Sequence, residues 1–386
     1  MNAVPGERQR LASLDAFRGF AIAGMVLVNN PGDWNHLYSQ LAHAKWHGWT
    51  FTDWIFPFFL FISGVSMTIS LAQRGASADK PQLLRSVLRR ALVIMLVGFL
   101  LNLVPNFNFG TVRIPGVLQR IGLCTMLAAP IVLWCGWRAQ AAWIAALLAV
   151  YSLLMLAVPV PDANGVVGAG VLEPGRDFGA WVDRAVLGNH LWVQAKTWDP
   201  EGLVSTLPAV GTLLFGVLTG QWLAAPLAAV EKTVWMLLAG LALLWAGAAL
   251  DVVLMPINKS LWTPSYCVFM AGWALLVFGA FHWLMDAVPQ AAVRQAAARL
   301  FQPLVIYGMN ALFIFALSGF VVKMLYFFKL TQPDGSRLSL RGWLYQPFQA
   351  LPLAPVQASL LWALMFNALM FAVAWFLWRR RWFIKA

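Results

Sequence analysis

Hydrophobic residues occur along this chain in long runs that are separated by shorter polar segments. About ten of these runs are long enough to cross a lipid bilayer as an α-helix, which takes roughly 20 residues. This pattern predicts an all-α fold, a polytopic membrane protein organised as a single integral-membrane domain over residues 1–386. The predicted spans are 14–31, 52–73, 86–104, 115–135, 139–158, 203–224, 233–252, 262–285, 301–325 and 356–378.

The composition supports a membrane location. Of the 386 residues, 61% are hydrophobic and 11% are charged, whereas a soluble domain carries about 25% charged residues. Too few polar side chains remain to cover a surface that faces water, so the surroundings are predicted to be largely lipid. The formal net charge is +12, but no basic stripe with interleaved aromatic residues is present. Nucleic acid is therefore not an expected partner.

Lysine and arginine are unequally distributed between the two sides of the predicted helices. The richer side is predicted to be cytoplasmic by the positive-inside rule. Both termini are then inside, the first helix is an uncleaved anchor, and the loops near 32–51, 159–202 and 326–355 lie outside. The basic residues of the cytoplasmic side are Arg8, Arg10, Arg74, Lys80, Arg85, Arg89, Arg90, Arg138, Lys232, Arg294, Arg299, Arg379, Arg380, Arg381 and Lys385.

A polar, titratable segment lies between the first two apolar runs. It contains His36, His43 and His47, with Asp33 and Asp53 on either side. Histidine titrates near working pH, so His43 is a candidate general base or nucleophile. Asp53 is placed to orient the ring and stabilise the imidazolium. Two alternatives stay open, which are an interfacial loop without chemistry and a metal site through the i, i+4 pair His43 and His47.

Polar residues inside or beside the apolar runs are further candidates. Charged side chains in lipid are costly and usually functional. Arg18 and Arg120 are therefore expected either to bind an anionic group or to pair with an aspartate or a carbonyl. Asn29, Asn102, Asn258 and Asn310 lie near helix ends as caps or ligand donors, and Trp46 is either a sugar-stacking residue or part of an interfacial aromatic belt.

Seven sequence blocks occur in an order that resembles the heparan-α-glucosaminide N-acetyltransferase family. The resemblance covers residues 10–385 and is nearest to bacterial members, some of which are associated with N-acetylglucosamine use. The blocks are SLDAFRG (Ser13 to Gly19), LVN (Leu27 to Asn29), HAKWHGWTFTDWIFPFFLFISG (His43 to Gly64), RIPGVLQRIG (Arg113 to Gly122), DPEGLVSTLPA (Asp199 to Ala209), PINKSLWTPSY (Pro256 to Tyr266) and GMNAL (Gly308 to Leu312).

The resemblance implies a transmembrane acyltransferase fold and a donor, acetyl-CoA, used from the cytoplasm of a bacterium. The acceptor would be an amino sugar of the glucosamine type at the periplasmic side of the inner membrane. The active histidine of the H-A-x-W block corresponds to His43, and the loop aspartate ten residues later corresponds to Asp53. No metal is expected, and homodimerisation is left open. The implied substrate- or CoA-binding residues are Arg18, Asn29, Trp46, Arg113, Arg120, Asn258, Lys259, Trp262, Ser265, Tyr266 and Asn310.

These residues allow two chemical routes for an enzyme, and a second class of protein, a permease, is the alternative. His43 either deprotonates the acceptor amine in a ternary complex or takes the acetyl group first in a ping-pong cycle. The first route is favoured because an amine needs only deprotonation to attack. The rival class is a permease for an amino sugar or N-acetylglucosamine. Transporters often contain two related halves, and none is evident here, which favours the enzyme.

Overall fold

The computed structural model describes residues 11–72, 79–333 and 335–384. Most of its regular structure is helical, and its two small sheets are two-stranded antiparallel hairpins. The prediction of an all-α polytopic membrane protein is confirmed. The elements are α1 Ala12–Val28, α2 Ile55–Ala72, α3 Lys80–Leu103, α4 Val117–Trp134, α5 Trp137–Ala157, β1 Val160–Pro161, β2 Val167–Gly168, α6 Phe178–Leu187, α7 Thr206–Ala224, α8 Ala229–Val253, α9 Pro264–His282, α10 Ala291–Leu300, α11 Gln302–Met309, α12 Ala311–Phe327, β3 Lys329–Thr331, β4 Arg337–Ser339, α13 Leu340–Gln349 and α14 Pro355–Arg379.

Within the described residues, eight helical segments have the length and apolar composition to cross a membrane. Helices α11 and α12 give a ninth when this bent pair is counted as one span, and α1 has 17 residues, the lower end of the usual range of about 17–25. Each of the ten predicted runs therefore coincides with a helix or with this pair. The eight segments are Phe51–Ala72, Lys80–Leu103, Val117–Trp134, Trp137–Ala157, Thr206–Ala224, Ala229–Val253, Pro264–Ala287 and Pro355–Arg379.

The predicted span at 301–325 is not one straight helix. Helices α11 and α12 meet at an angle of 79°, with Asn310 at the break in a non-helical conformation (φ −124°, ψ 32°). The side chain of Asn310 donates to the carbonyl oxygen of Trp382 (3.1 Å) and accepts from the backbone N–H of Ile384 (2.9 Å). The segment that follows α14 is thus tied to the break. Hydrophobicity continues through the break, so the sequence pattern does not reveal it.

Helices α2 and α7 pack with their backbones almost in contact. A Cβ atom at Gly64 would lie 2.0 Å from the carbonyl oxygen of Leu213, and one at Gly216 would lie 1.9 Å from that of Phe61. Small residues of this kind let membrane helices approach closely. Helix α2 is therefore packed tightly against α7, and the loop that precedes α2 ends at a firmly held helix.

Five loops meet at one end of the helices, which we call the loop face; the other end is the opposite face. Hydrogen bonds join the loops to one another. The indole Nε1–H of Trp46 donates to the carbonyl oxygen of Leu172 (2.7 Å), and the N–H of Gly48 donates to that of Ile257 (2.7 Å). The three loops predicted to lie outside all belong to this face. Among the described residues, the loop face comprises 29–50, 104–116, 158–205, 254–263, 328–333 and 335–354.

The basic residues assigned to the cytoplasm by sequence lie at or near the opposite face where the structure describes them. They cluster at the start of α3, the starts of α5 and α8, helix α10 and the end of α14. Four members of that set, Arg8, Arg10, Arg74 and Lys385, lie outside the described residues. The arrangement agrees with the positive-inside rule, and the orientation in the membrane stays a prediction.

This orientation predicts which side of the membrane each loop can be labelled from. With Cys135 replaced by serine, a cysteine at the exposed Ser39 on the loop face should react with an impermeant thiol reagent added to intact cells. A cysteine at the exposed Gln290 on the opposite face is the matched control and should react only after lysis. The reverse pattern of labelling would contradict the predicted topology.

Candidate functional site

His43 and Asp53 form a hydrogen-bonded pair on the loop face. The Nδ1 atom of His43 lies 2.7 Å from Oδ1 of Asp53. The aspartate side chain is 1% exposed and the histidine side chain 47% exposed. A carboxylate only accepts hydrogen bonds, so Nδ1 carries the proton and Nε2 keeps its lone pair. The pair therefore presents a basic nitrogen to an accessible space, as a general base requires.

Asp53 is held by the loop that it closes. It lies in a short 3₁₀ turn, Phe51–Trp54, immediately before α2. Its second oxygen, Oδ2, accepts from the backbone N–H groups of Ala44 (3.1 Å) and Thr50 (3.0 Å) and from the Thr50 hydroxyl (3.1 Å). The backbone oxygen of Asp53 accepts from the Tyr266 hydroxyl (2.6 Å). This set of bonds fixes the carboxylate, and through it the orientation of the His43 ring.

The surroundings of His43 favour its neutral form. Desolvation by the surrounding loops lowers the pKa of His43, and the positive charge of Lys259 lowers it further. The hydrogen bond that His43 donates to Asp53 and the negative charges of Asp53 and Glu201 act in the opposite direction, but the net shift of the pKa is downward. A neutral imidazole can accept a proton or attack a carbonyl, whereas imidazolium can do neither. The imidazole of His43 is thus kept neutral below the pH at which an ordinary histidine becomes protonated.

The loop that carries Lys259 is attached to the histidine loop. The side chain of Asn258, which is 0% exposed, contacts Nδ1 of His47 (3.4 Å) and accepts from the N–H of Leu261 (2.9 Å). Trp262 adopts a left-handed conformation (φ 54°), which is uncommon for a bulky residue and costs free energy. The sequence-predicted residues Asn258 and Trp262 therefore shape the loop that holds Lys259 in place.

Three further predicted residues make contacts that position the site. Ser265 donates to the carbonyl oxygen of Met255 (2.6 Å) at the start of α9. Tyr266 supports the backbone of Asp53, and Trp46 packs edge-on against Trp198 at a centroid distance of 5.1 Å. The Trp46 contact joins the histidine loop to the long loop between α5 and α7. These side chains brace the site through contacts with protein groups.

Arg113 joins two carboxylates beneath the loop face. Its guanidinium contacts Asp199 at 2.8 and 2.5 Å and Glu201 at 2.5 Å. Burial alone would lower the pKa of Arg113, but the two carboxylates outweigh it and raise the pKa above its ordinary value. Sequence reasoning nominated Arg113 but missed Asp199 and Glu201. The sequence does contain an indication of them, since two acidic residues separated by one proline immediately precede an apolar run.

Arg120 is a buried guanidinium in α4, with 2% of its surface exposed. It donates to the carbonyl oxygen of Gly202 (2.8 Å) and to the Ser205 hydroxyl. Its carbon Cζ lies 5.3 Å from the centre of the Trp262 ring. Its Nε and Nη1 atoms have no hydrogen-bond partner among the described residues. Arg120 thus lies under the loop that carries Glu201.

Arg18 lies away from the His43–Asp53 pair, in a cavity of about 410 Å³ between helices at the opposite face. Its guanidinium pairs with Asp15 (2.9 Å) and donates to the Ser66 hydroxyl (2.7 Å). Asn310 is next to this cavity, since Gly308 and Ile384 line it. Asn29 is on the loop face, as the exposed C-cap of α1. The predicted binding residues therefore divide between two regions at different depths.

The metal hypothesis gains no support from the geometry. In residues 11–72, 79–333 and 335–384, no group of three or more histidine, cysteine, aspartate or glutamate side chains is placed to hold a metal ion. His36 is paired with Asp33 at 2.7 Å, as a second and separate pair. His47 contacts Asn258, whereas His43 contacts Asp53.

The fold and site define a class, the multi-pass membrane proteins with a histidine–aspartate pair at one face. The family model described as "Heparan-alpha-glucosaminide N-acetyltransferase, catalytic" matches residues 10–247, and the chain belongs to this family. It is 29% identical to the heparan-alpha-glucosaminide N-acetyltransferase of Homo sapiens, over 72% of this chain and 49% of that protein. Identity to the Mus musculus protein of the same name is also 29%, over 69% and 48%. The chain spans about half the length of these relatives.

Proposed function

We propose that this chain transfers an acetyl group from acetyl-CoA to the amine of an amino sugar, with Nε2 of His43 as general base. The observation that carries the proposal is the 2.7 Å contact between His43 and Asp53, with the aspartate buried and the histidine accessible. Such a pair activates a neutral nucleophile and stabilises the imidazolium that forms. Membership of the N-acetyltransferase family supplies the reaction class, and the relatives' name supplies the glucosamine-type acceptor.

The chemical step requires one proton to be moved. The amine nitrogen attacks the thioester carbonyl carbon while Nε2 of His43 accepts a proton from that nitrogen. The carbonyl π electrons move to oxygen and form a tetrahedral intermediate. When the intermediate collapses, the C–S bond breaks and the imidazolium returns its proton to the CoA sulfur. Asp53 stays ionised and stabilises the positive charge on the ring during these steps.

The donor is proposed to enter from the opposite face. The phosphates of acetyl-CoA cannot cross lipid, so the nucleotide stays at the membrane surface while the pantetheine arm extends between helices. The cavity follows α2 from Leu71 to Phe59, about 18 Å at 1.5 Å rise per residue. Asp53 precedes Phe59 by six residues, which is about 9 Å further along the same axis.

The side chains that line the cavity suit this ligand. Ser63, Ser66 and Ser70 line it, and their spacing puts them on one face of α2. Hydroxyl groups of this kind can hydrogen-bond the two amides of a pantetheine arm. Arg18 and Arg90 also line the cavity, and guanidinium groups bind phosphates with charge-assisted hydrogen bonds. We therefore assign Arg18 to the donor and the loop-face residues to the acceptor and the reaction.

Two assays on the full-length protein in proteoliposomes test the proposal and separate it from a permease. The first incubates the protein with acetyl-CoA and glucosamine and measures N-acetylglucosamine by mass spectrometry. The second measures uptake of radiolabelled glucosamine and N-acetylglucosamine without acetyl-CoA. The proposal expects acetylated product and no uptake above that of empty vesicles. Uptake without acetylation would overturn it and favour a permease.

A further inference from the structure

Lys259 provides a positive charge beside the histidine–aspartate pair. It follows Asn258, whose side chain contacts His47, and Ile257, whose carbonyl oxygen accepts from Gly48. The lysine loop is thus anchored at two points to the loop that carries His43. The lysine side chain is half-buried, and within the described residues it makes no salt bridge. The arginine nearby, Arg113, is by contrast fully engaged with two carboxylates.

The electrostatic effects of the Lys259 charge agree with this placement of its loop. The charge of Lys259 acts on His43, on Asp53 and on Glu201, as expected for a lysine that follows two residues attached to the histidine loop. The charged and titratable groups that face His43 are therefore Lys259, Asp53 and Glu201. Two of these are acidic, and Lys259 is the cation of the set.

We propose that Lys259 is a catalytic residue that stabilises the oxyanion of the tetrahedral intermediate; this rests on the function proposed above. When the amine attacks, the thioester oxygen acquires a full negative charge beside Nε2 of His43. An ammonium group fixed in the same region offsets that charge in the transition state and less so in the ground state, which is the condition for raising the rate. On collapse, the negative charge leaves this oxygen as the carbonyl re-forms and the CoA sulfur departs.

The rigid attachment of the loop supports this role. A cation lowers the barrier most when it is already in place before charge develops, because no reorganisation is then needed. The buried side chain of Asn258 contacts Nδ1 of His47 and accepts from the N–H of Leu261, and the fully buried Trp262 donates to the Thr212 hydroxyl, so the residues on both sides of Lys259 are anchored. A lysine that contributed only to solubility would not need to lie in an anchored loop.

The test compares Lys259→Met, which keeps the length and removes the charge, with Lys259→Arg and with the exposed Lys329→Met on the same face as a matched control. Removing one oxyanion-stabilising group costs about 10²–10³-fold in kcat. We expect that loss in Lys259→Met with KM for acetyl-CoA and for glucosamine nearly unchanged. The acid limb of its pH profile should shift to higher pH, since the lysine charge lowers the pKa of His43. Lys259→Arg should keep the acid limb in place and lose less kcat, and Lys329→Met should match the wild type.

A chemical rescue keeps the test valid if Lys259→Met is unstable. Lys259→Cys treated with 2-bromoethylamine regains an amine at the length of lysine, and kcat should recover after treatment but not before. A Lys259→Met enzyme with wild-type kcat, or one with raised acceptor KM and unchanged kcat, would overturn the role of Lys259 while leaving the acetyltransferase itself intact. A wild-type protein without acetyl transfer would instead overturn the proposed function.

Discussion

Replacing His43 with alanine is expected to reduce acetyl transfer by about 10²–10⁴-fold, the usual cost of losing a general base. The ring is half-exposed and its hydrogen bond to Asp53 is with a side chain that has other partners. Its removal therefore leaves no large cavity, and the fold should persist. Acetyl-CoA binding should also persist, because the proposed donor cavity lies towards the opposite face. Steady-state kinetics, thermal melting and acetyl-CoA binding measured on the same preparation check this.

The chain supplies a matched control for this variant. His36 is paired with Asp33 at 2.7 Å, and its side chain is 49% exposed, so it resembles His43 in partner, distance and exposure. His36→Ala should remain close to wild type in activity, because this second pair lies apart from the bonds that fix Asp53. Loss of activity in His36→Ala with retention in His43→Ala would show that the catalytic assignment is wrong.

The pH dependence of the wild-type enzyme should report the protonation of His43. The proposed mechanism requires neutral His43, so the rate should fall as pH decreases through the pKa of that residue. Because desolvation and Lys259 lower this pKa, the acid limb of kcat/KM should lie below the ordinary histidine value of 6.5. A limb above that value would contradict the electrostatics described for the site.

The second large effect is expected at Asp53. Asp53→Asn keeps the shape but has only one accepting oxygen. Its NH₂ group faces either the donors of Ala44 and Thr50 or the Nδ1–H of His43, and cannot accept from them. Each buried donor left without an acceptor costs about 1–3 kcal/mol, so the loop should be destabilised. The negative charge that stabilises imidazolium is also lost. Activity should therefore fall between that of the wild type and that of His43→Ala, with a lower melting temperature.

A double-mutant cycle separates the catalytic role of Asp53 from its structural one. If the two residues act as a unit, His43→Ala combined with Asp53→Asn should be little slower than His43→Ala alone, because such effects are not additive. The melting temperature of the double variant should still be lowered, since the loop bonds are lost in both backgrounds. Fully additive losses of kcat would show that Asp53 acts independently of His43.

Much of this fold was predictable because lipid allows few backbone structures to cross it. A run of about 20 apolar residues has few alternatives to a spanning helix, so the ten runs locate the helices. The bend at Asn310 was not predictable, since apolar residues continue on both sides of it and the side chain of Asn310 bonds to the distant Trp382 and Ile384. Tertiary contacts of this kind, over a sequence separation of about 70 residues, leave no local pattern.

The candidate site was predictable in part for the same reason. His43 and Asp53 stand in one loop, so their pairing could be anticipated from ten residues of sequence. Asp199 and Glu201 reach Arg113 across more than 80 positions, and sequence spacing carries no information about that. Composition likewise does not show that Arg18 belongs to a separate cavity at the opposite face.

One measurement tests the central claim most directly, namely that His43 at the loop face acetylates an amino sugar with a donor from the other side. Sealed proteoliposomes are loaded with acetyl-CoA carrying a labelled acetyl group, and glucosamine is supplied only outside. The wild-type protein should release labelled N-acetylglucosamine into the outer medium, and His43→Ala in the same vesicles should release almost none. Absence of external product from the wild type, or equal product from His43→Ala, would contradict the account.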